Sequence, residues 1–447
     1  MFDSVLVANR GEIAVRVIRT VQRLGMRAVA VYSEADAGAL HVRAADEAVL
    51  IGPAPPAESY LDVDRVLAAA RDTGVQAVHP GYGFLSEHPG FARAVGAAGL
   101  TWVGPTAESM EAMGDKVAAR NLMSDAGVPV APGTRQAVTD VDDAVAQAGA
   151  VGYPLMVKAS AGGGGIGMAV VADEAALRGA FETARTRAER FFGSPAILLE
   201  RFVPAARHVE VQILGLADGR IVALGERDCS VQRRHQKVAE ETPSPGVDES
   251  LRSRMLAAAV RAGEAIGYRG AGTVEFLVDA QSGGDFFFLE MNTRLQVEHP
   301  VTELVTDLDL VEEQLRIAAG QPPTFGAAPP RPRGHAVELR VYAEDPRRFL
   351  PSPGTIRRWE EPSGDGIRVD TGYAAGDTVT QYYDPLMAKL CVWAPDRAAA
   401  LHRAAGAVAD FVVEGPKTNL PFFTELLADP GFVRGSYDTG LIGRMRA

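Results

Sequence analysis

The stretch Lys158-Ala159-Ser160-Ala161-Gly162-Gly163-Gly164-Gly165-Ile166-Gly167 lies between two apolar β-like runs, Pro154 to Val157 and Met168 to Val171. Four consecutive glycines lose much conformational freedom when ordered, so a loop with only a structural task rarely uses them. Their amides can close over phosphate oxygens, with Lys158 as a point charge beside them. No Gly-Lys-Ser/Thr follows, and the next element reads as a strand rather than a helix, so this is not a Walker A loop. The pattern of strand, Gly loop and strand predicts a phosphate lid in preference to a flexible hairpin tip.

The surroundings of this loop set the scale. The chain has 447 residues, which at about 150 residues per domain suggests three domains. Glycine contributes 47 residues, about a tenth of the chain against a usual ~7%. The net charge of -12, with no long basic tract, argues against nucleic acid as the main partner. No apolar run reaches membrane-spanning length. The N-terminus lacks the layout of a signal peptide. The two cysteines, Cys229 and Cys391, read as buried, inert thiols rather than a disulfide. A cytoplasmic protein is expected, without a membrane partner.

Toward the N-terminus, strand-like runs at Ser4–Ala8, Arg27–Tyr32, Val75–His79 and Leu100–Val103 alternate with helical stretches such as Ile13–Leu24. This predicts a doubly wound parallel sheet. The segment Ala8-Asn9-Arg10-Gly11-Glu12 opens the first helix without G-x-G-x-x-G, which weakens any case for NAD. Thr106–Ala126 is predicted as one helix stopped by Gly127 and Pro129. Toward the C-terminus, Val274–Leu277 and Phe286–Asn292 form a predicted hairpin around Ser282-Gly283-Gly284-Asp285. Five prolines between Pro322 and Pro332 mark a stiff linker. A third, α+β unit begins with a strand at His335–Ala343 and contains a helix at Ala398–Val412.

Glu290 and Asn292 project from one face of the predicted hairpin, and Glu275 lies on its partner strand. Two carboxylates and an amide carbonyl suit a hard dication; the bland alternative is a solvated hairpin face. The lid, Lys116 and Lys158 favour the metal. Glu226 to Lys237 is dense in cations but lacks interleaved aromatics, so it suggests a pocket for small anions rather than nucleic acid. In Asn292-Thr293-Arg294-Leu295-Gln296-Val297-Glu298-His299-Pro300, the side chains of Arg294, Gln296 and Glu298 share one face if the segment is extended. A guanidinium and an amide can hold a planar oxyanion against a carboxylate base. An internal salt bridge between Arg294 and Glu298 is the alternative.

These motifs together resemble the biotin carboxylase family of the ATP-grasp superfamily. The resemblance rests on Ala8 to Ala14, His79 to Glu87, Met113 to Lys116, the Gly loop, Glu226 to Lys237, Glu290 to Thr302, and Tyr383-Asp384-Pro385-Leu386, in family order along nearly the whole chain. It implies a Rossmann-like N-terminal domain (1–114), an ATP-grasp domain (115–330) with a lid at about 131–203, and a C-terminal α+β domain (331–447). It further implies that Lys116, Lys158 and Gly162, Gly163, Gly164 and Gly165 contact ATP phosphates. Glu200, the Arg201 backbone, Val203 and Leu277 line the adenine site, and His208, Gln232 and His235 reach the sugar or phosphates. Glu275, Glu290 and Asn292 hold Mg²⁺ or Mn²⁺, two ions in all. Lys237, Arg294, Gln296 and the Val297 backbone bind bicarbonate, with Glu298 as base. Tyr82 and Arg340 face biotin.

The implied activity is ATP-dependent carboxylation of biotin on a separate carrier protein, the first half-reaction of an acyl-CoA carboxylase of the kind that feeds fatty acid synthesis, or of a urea-type enzyme. The absence of a Met-Lys-Met biotinylation motif and of a carboxyltransferase segment makes the biotin carboxyl carrier protein and a carboxyltransferase subunit expected partners. A homodimer is expected as well, with Arg16 and Arg19 at the family's interface positions; three apart on one helix, they equally suit a solvated face. The family usually has a basic residue where Ile166 stands. Ile166 and Ala161 are more typical of urea carboxylase-like members. A different ATP-grasp ligase and a non-catalytic ATP sensor are the competing readings.

Overall fold

A computed structural model describes residues 1–160, 168–280 and 284–446. The strands β1 (Ser4–Val7), β2 (Arg27–Ser33), β3 (Glu47–Gly52), β4 (Ala77–His79) and β5 (Thr101–Trp102) form a parallel sheet in the order β3-β2-β1-β4-β5. The order reverses on either side of β1, as in doubly wound folds. Val5, Leu6 and Val7 are fully buried, which is why this strand reads as a continuous apolar run. The helix Gly11–Arg23 turns Ile13, Val17, Ile18 and Val21 into the core. At the carboxyl ends of β1 and β4, the Asn9 amide donates to the carbonyls of Pro80 and Tyr82, 2.7 and 2.8 Å away. That bond ties together the two loops flanking the crevice where such sheets bind ligands.

The single helix predicted over Thr106–Ala126 is two helices, Ala107–Gly114 and Lys116–Asp125. Asp115 is extended between them, and its carboxylate accepts the Ala118 amide hydrogen at 2.7 Å. An Asp that caps the following turn competes with helix continuation, and the break places Lys116 at the start of the second helix.

A small antiparallel sheet follows, with β6 (Leu155–Ala159) between β7 (Ala169–Val171) and β8 (Ile197–Arg201). Leu155, Val157, Leu177, Phe181 and Leu199 form its core beneath the helices Val141–Val151 and Glu174–Phe192. The glycine-rich stretch joins β6 to β7; Gly162 to Gly165, Ala161 and Ile166 lie outside the described residues.

The largest sheet contains β9 (Ala206–Gly215), β10 (Ile221–Arg233), β11 (Gln236–Thr242), β12 (Gly270–Asp279), β13 (Phe286–Asn292) and β14 (His335–Tyr342). Next along the chain come β15 (Gly354–Thr355), β16 (Arg358–Glu360), β17 (Ile367–Thr371), β18 (Thr378–Val379), β19 (Leu386–Ala394) and β20 (Val412–Glu414). The order is β13-β12-β9-β10-β11-β14-β19-β17, and the remaining strands pair as two ribbons, β15 with β18 and β16 with β20. The proline-rich stretch thus does not separate two sheets. β11 pairs directly with β14, Ala239 facing Leu339 and Glu240 facing Glu338. The predicted β12–β13 hairpin forms, with Ser282 and Gly283 of its turn outside the described residues. Among the described residues, no helix is long and apolar enough to cross a membrane.

Candidate active site

The site grows from strand alternation. On β9, Val209, Val211 and Ile213 fill the core while His208, Glu210 and Gln212 point the other way. Register then sets charges side by side: Glu290 on β13 faces Glu275 on β12, Glu275 faces Glu210, and Glu210 faces Arg227 on β10. Residues directly opposite in neighbouring strands share a face, so a row of ionisable groups, half-buried at Glu290 and buried at Glu275, Glu210 and Arg227, crosses four strands.

Lys237 on β11 closes over this row. Its Nζ donates to Glu210 Oε2 at 2.5 Å, Glu275 Oε1 at 2.8 Å and Glu298 Oε1 at 2.6 Å. Burial would lower its proton affinity, but the carboxylates hold the ammonium well above the usual lysine range. Glu298, fully buried, also accepts from Arg340 Nη2 at 2.9 Å through its other oxygen. Burial favours its protonated form, and Lys237, Arg340 and Arg227 more than reverse this, keeping the carboxyl well below the ordinary range. Arg340 makes a second contact, 2.6 Å from Glu240 Oε1. Burial pushes Glu240 up to about 7 despite that arginine.

The alternative of an Arg294–Glu298 salt bridge is not what forms. Arg294 donates to Glu87 Oε2 at 2.9 Å, Gln296 Oε1 at 2.9 Å and Asn292 Oδ1 at 3.1 Å. β13 ends at Asn292, and a turn at Val297 and Glu298 leads into the helix His299–Thr306. That turn swings Glu298 away from Arg294 and toward Lys237 and Arg340. Gln296 Nε2 donates to Glu275 Oε1 at 3.1 Å, linking this segment to the metal candidates.

The nucleotide candidates divide into two groups. Lys158 on β6 pairs with Glu200 on β8, and Arg120 Nε lies 3.5 Å from the same carboxylate. Burial pulls the Lys116 proton affinity down; Glu290 opposes this and the nearby Lys158 adds to it. Lys116 therefore senses both the small sheet and the acidic row. The Arg201 side chain is exposed, and its amide donates to Pro132 O at 2.8 Å. Val203 is buried just beyond β8, and Leu277 faces His208 across β12 and β9. His208 contacts Glu275 Oε2 at 2.7 Å and Gln232 Nε2 at 2.6 Å. His235 stands apart: with Arg234 it forms the exposed two-residue tip of the β10–β11 hairpin, both at positive φ.

On the other side of Arg340 is a cavity of about 450 Å³ lined by Tyr82, Phe84, Arg294, Val297, Arg340 and Tyr383, among others. The Tyr82 hydroxyl donates to Glu12, whose other oxygen lies 3.1 Å from Lys389 Nζ. Burial lifts Glu12 to about 7 against the pull of Lys389. Arg16 is not on a solvated face: it is buried, with Nη2 2.7 Å from both Glu303 and Asp309, while Arg19 is exposed. Glu12, Glu210, Arg227, Glu240 and Lys389 carry no role in the sequence reading. The alternation His208-Val209-Glu210-Val211-Gln212 was the available signal for one of them.

The donor set fits a hard dication. Glu275 and Glu290 face each other with Asn292 one pair along, and burial together with Glu275 raises the proton affinity of Glu290. The charge that Glu275 disfavours on half-buried Glu290 is relieved by a cation bound to the oxygens of both.

Family models for the biotin carboxylase N-terminal domain, the carbamoyl-phosphate synthase L chain ATP binding domain and the biotin carboxylase C-terminal domain match residues 1–110, 115–324 and 338–444. The chain is 52% identical over 442 residues to a biotin carboxylase of Halalkalibacterium halodurans, covering 99% of this chain and 97% of that one. The chain belongs to the biotin carboxylase family. It is also 48% identical to the propionyl-CoA carboxylase alpha chain of Ruegeria pomeroyi, over 99% of this chain and 68% of the relative. Among solved structures it resembles a biotin carboxylase complex from Campylobacter jejuni, with a TM-score of 0.96, 42% identity and 99% of both chains covered. The biotin carboxylase domain dimer of Hydrogenobacter thermophilus 2-oxoglutarate carboxylase, in complex with MgADP, ADP and bicarbonate, matches with a TM-score of 0.94 and 43% identity, over 99% of this chain and 98% of that one. The mixed α/β architecture and ATP-grasp core of biotin carboxylases are therefore those of this chain.

Proposed function

We propose that this ligase carboxylates biotin, using ATP and bicarbonate, through a centre in which Glu298 is the base and Arg340 the enolate partner. The carrying observation is that Glu298 is buried between Lys237 and Arg340, with Arg294 and Gln296 in the segment that leads into its turn.

Bicarbonate is an anion, so it competes with Glu298 for Lys237 and Arg340, while Arg294, which is not paired with Glu298, offers it a further cation. As those cations turn to the substrate, Glu298 loses the partners that hold its proton affinity down and becomes a stronger base. It takes the bicarbonate proton as a bicarbonate oxygen attacks the γ-phosphorus of ATP, giving carboxyphosphate and ADP. Lys116 and Lys158, with Gly162 to Gly165, neutralise and enclose the phosphates; Glu200, Arg201, Val203 and Leu277 form the adenine side, with His208, Gln232 and His235 toward the sugar and phosphates. Glu275, Glu290 and Asn292 hold Mg²⁺ or Mn²⁺, which supplies charge neutralisation on the transferred phosphoryl group. Carboxyphosphate releases CO₂, and the phosphate left behind removes the ureido N1 proton of biotin lying beside Tyr82. Arg340 stabilises the resulting enolate, which attacks CO₂.

In the cell the biotin is that of a carrier protein, and a carboxyltransferase subunit chooses the final acceptor, so the chain works in the cytoplasm as one subunit of an acyl-CoA or related carboxylase. A homodimer is the working form, with Arg19 rather than the internally paired Arg16 available to the partner. Domain limits at 114 and 330, with a lid at 131–203, accompany this reading. The test is ADP release by purified chain: it should need Mg²⁺ and bicarbonate and rise with free biotin. Hydrolysis indifferent to bicarbonate would overturn the proposal.

A further inference from the structure

The carboxylate on the first helix and the lysine on β19 have no part in the reaction as written, yet together they touch both halves of the centre. We propose that Lys389 is a positioning residue that holds the bicarbonate side and the biotin side in fixed register, through the Val297 carbonyl on one side and Glu12 and Tyr82 on the other. This rests on the function proposed above.

Lys389 is fully buried on a strand whose neighbouring residues, Ala388 and Leu390, are core. It pairs in register with Arg340 on β14 and Asp370 on β17. A buried ammonium is retained at a cost that an apolar residue of similar length avoids, so ion pairing alone is a weak reason for it. Its ammonium donates to Val297 O at 2.9 Å and forms ion pairs with carboxylates from two other parts of the chain, Glu12 Oε2 at 3.1 Å and, more distantly, Asp370 Oδ2 at 3.9 Å.

Each near contact reaches a reacting group. The Val297 carbonyl belongs to the peptide that joins Val297 to Glu298. Glu298 begins the helix His299–Thr306 without a side-chain cap, its carboxylate being turned to Lys237 and Arg340. Fixing that peptide fixes the point from which the base departs. On the other side, Glu12 passes the constraint to the Tyr82 hydroxyl, and Lys389 Nζ lies 5.9 Å from the Tyr82 ring centroid. Glu12 is itself held from the C-terminal part. Gly372 approaches so closely that a Cβ there would stand 2.5 Å from the Glu12 nitrogen. CO₂ released on one side must meet the biotin enolate on the other, and a displacement of an ångström is expensive in such a step.

The experiment is steady-state ADP release by the full chain with bicarbonate, free biotin and MgATP varied in turn. Lys389→Met is expected to raise KM for bicarbonate and for biotin about tenfold or more, with KM for ATP within about twofold. A folded variant with all three KM values unchanged, whatever its kcat, overturns the proposal, because a packing role lowers the active fraction without moving KM. Should Lys389→Met not fold, Glu12→Gln/Lys389→Met removes the charge pair together and leaves Asp370 on Arg368, 2.7 Å away; it is judged by the same KM values. Tyr82→Phe deletes only the hydroxyl and is expected to raise KM for biotin severalfold; a wild-type value overturns the Glu12 arm. If the wild-type chain shows no bicarbonate-dependent turnover, the functional reading fails instead.

Discussion

Glu298→Gln separates chemistry from architecture in this centre. The substitution is isosteric and removes one fully buried negative charge from a cluster of ionisable groups. That cluster contains the carboxylates Glu210, Glu240, Glu275 and Glu298 around the permanent cations Lys237, Arg227 and Arg340. Without Glu298, Lys237 still has Glu210 at 2.5 Å and Glu275 at 2.8 Å, and Arg340 still has Glu240 at 2.6 Å. No cation is orphaned, so the large penalty for breaking a buried pair does not apply, and the melting temperature should stay within a few degrees of wild type. The base is lost outright, which costs about 10²–10⁴ in rate, or about 3–5 kcal/mol of barrier. Coupled ADP-release kinetics with saturating bicarbonate and biotin would show the loss, and equilibrium ATP binding should persist. Turnover within threefold of wild type would refute the assignment of Glu298 as base. A collapse in melting temperature would refute the charge accounting.

Other expectations follow from neighbouring features. Glu290→Gln should raise the Mg²⁺ concentration for half-maximal turnover about 10–100-fold and weaken Mn²⁺ binding followed by electron paramagnetic resonance; an unchanged requirement removes Glu290 from the metal site. His41 and His79 are buried and held at about 4, below the unfolded value near 6.5, chiefly by burial. Each therefore contributes stability that is complete above pH 6.5 and is lost as pH falls toward 4. The loss is about 2 kcal/mol each at pH 5, and urea midpoints that do not fall between pH 7 and 5 would contradict this. Burial raises both Cys229 and Cys391 thiols well above their usual range. A thiol-specific disulfide reagent should find neither until the chain unfolds, so a fast-reacting native thiol would contradict the packing.

The parallel N-terminal sheet was legible because Ser4–Val7 and Arg27–Ser33 are buried on both faces and read as apolar runs separated by an amphipathic helix. The pair Glu275 and Glu290 on neighbouring strands was legible for a different reason, since period-2 alternation with Val274 and Phe276 leaves Glu275 on the other face. The break at Asp115 was not, because local periodicity continues through it, while the Asp115 carboxylate caps a new helix by accepting from Ala118 just after the first helix ends at Gly114. Nor was the partner of Glu298: two-residue spacing suggests Arg294, while the turn after Gln296 delivers the carboxylate to residues 61 and 42 positions away. Lys389 and Glu12 were hidden because their meaning lies in a contact across 377 positions.

The pairing of β11 with β14 carries a practical consequence. Lys237 and Arg340 stand on adjacent strands of one hydrogen-bonded sheet, each just beyond the ladder that pairs Ala239–Thr242 with Ala336–Leu339, so the two strands that carry them are joined through backbone hydrogen bonds. A polypeptide ending before His335 would keep every nucleotide-side candidate yet leave the backbone of Ala239 to Thr242 without its neighbour. Such a bare strand edge recruits other chains. A fragment that includes β14, and Arg340 with it, keeps that edge covered.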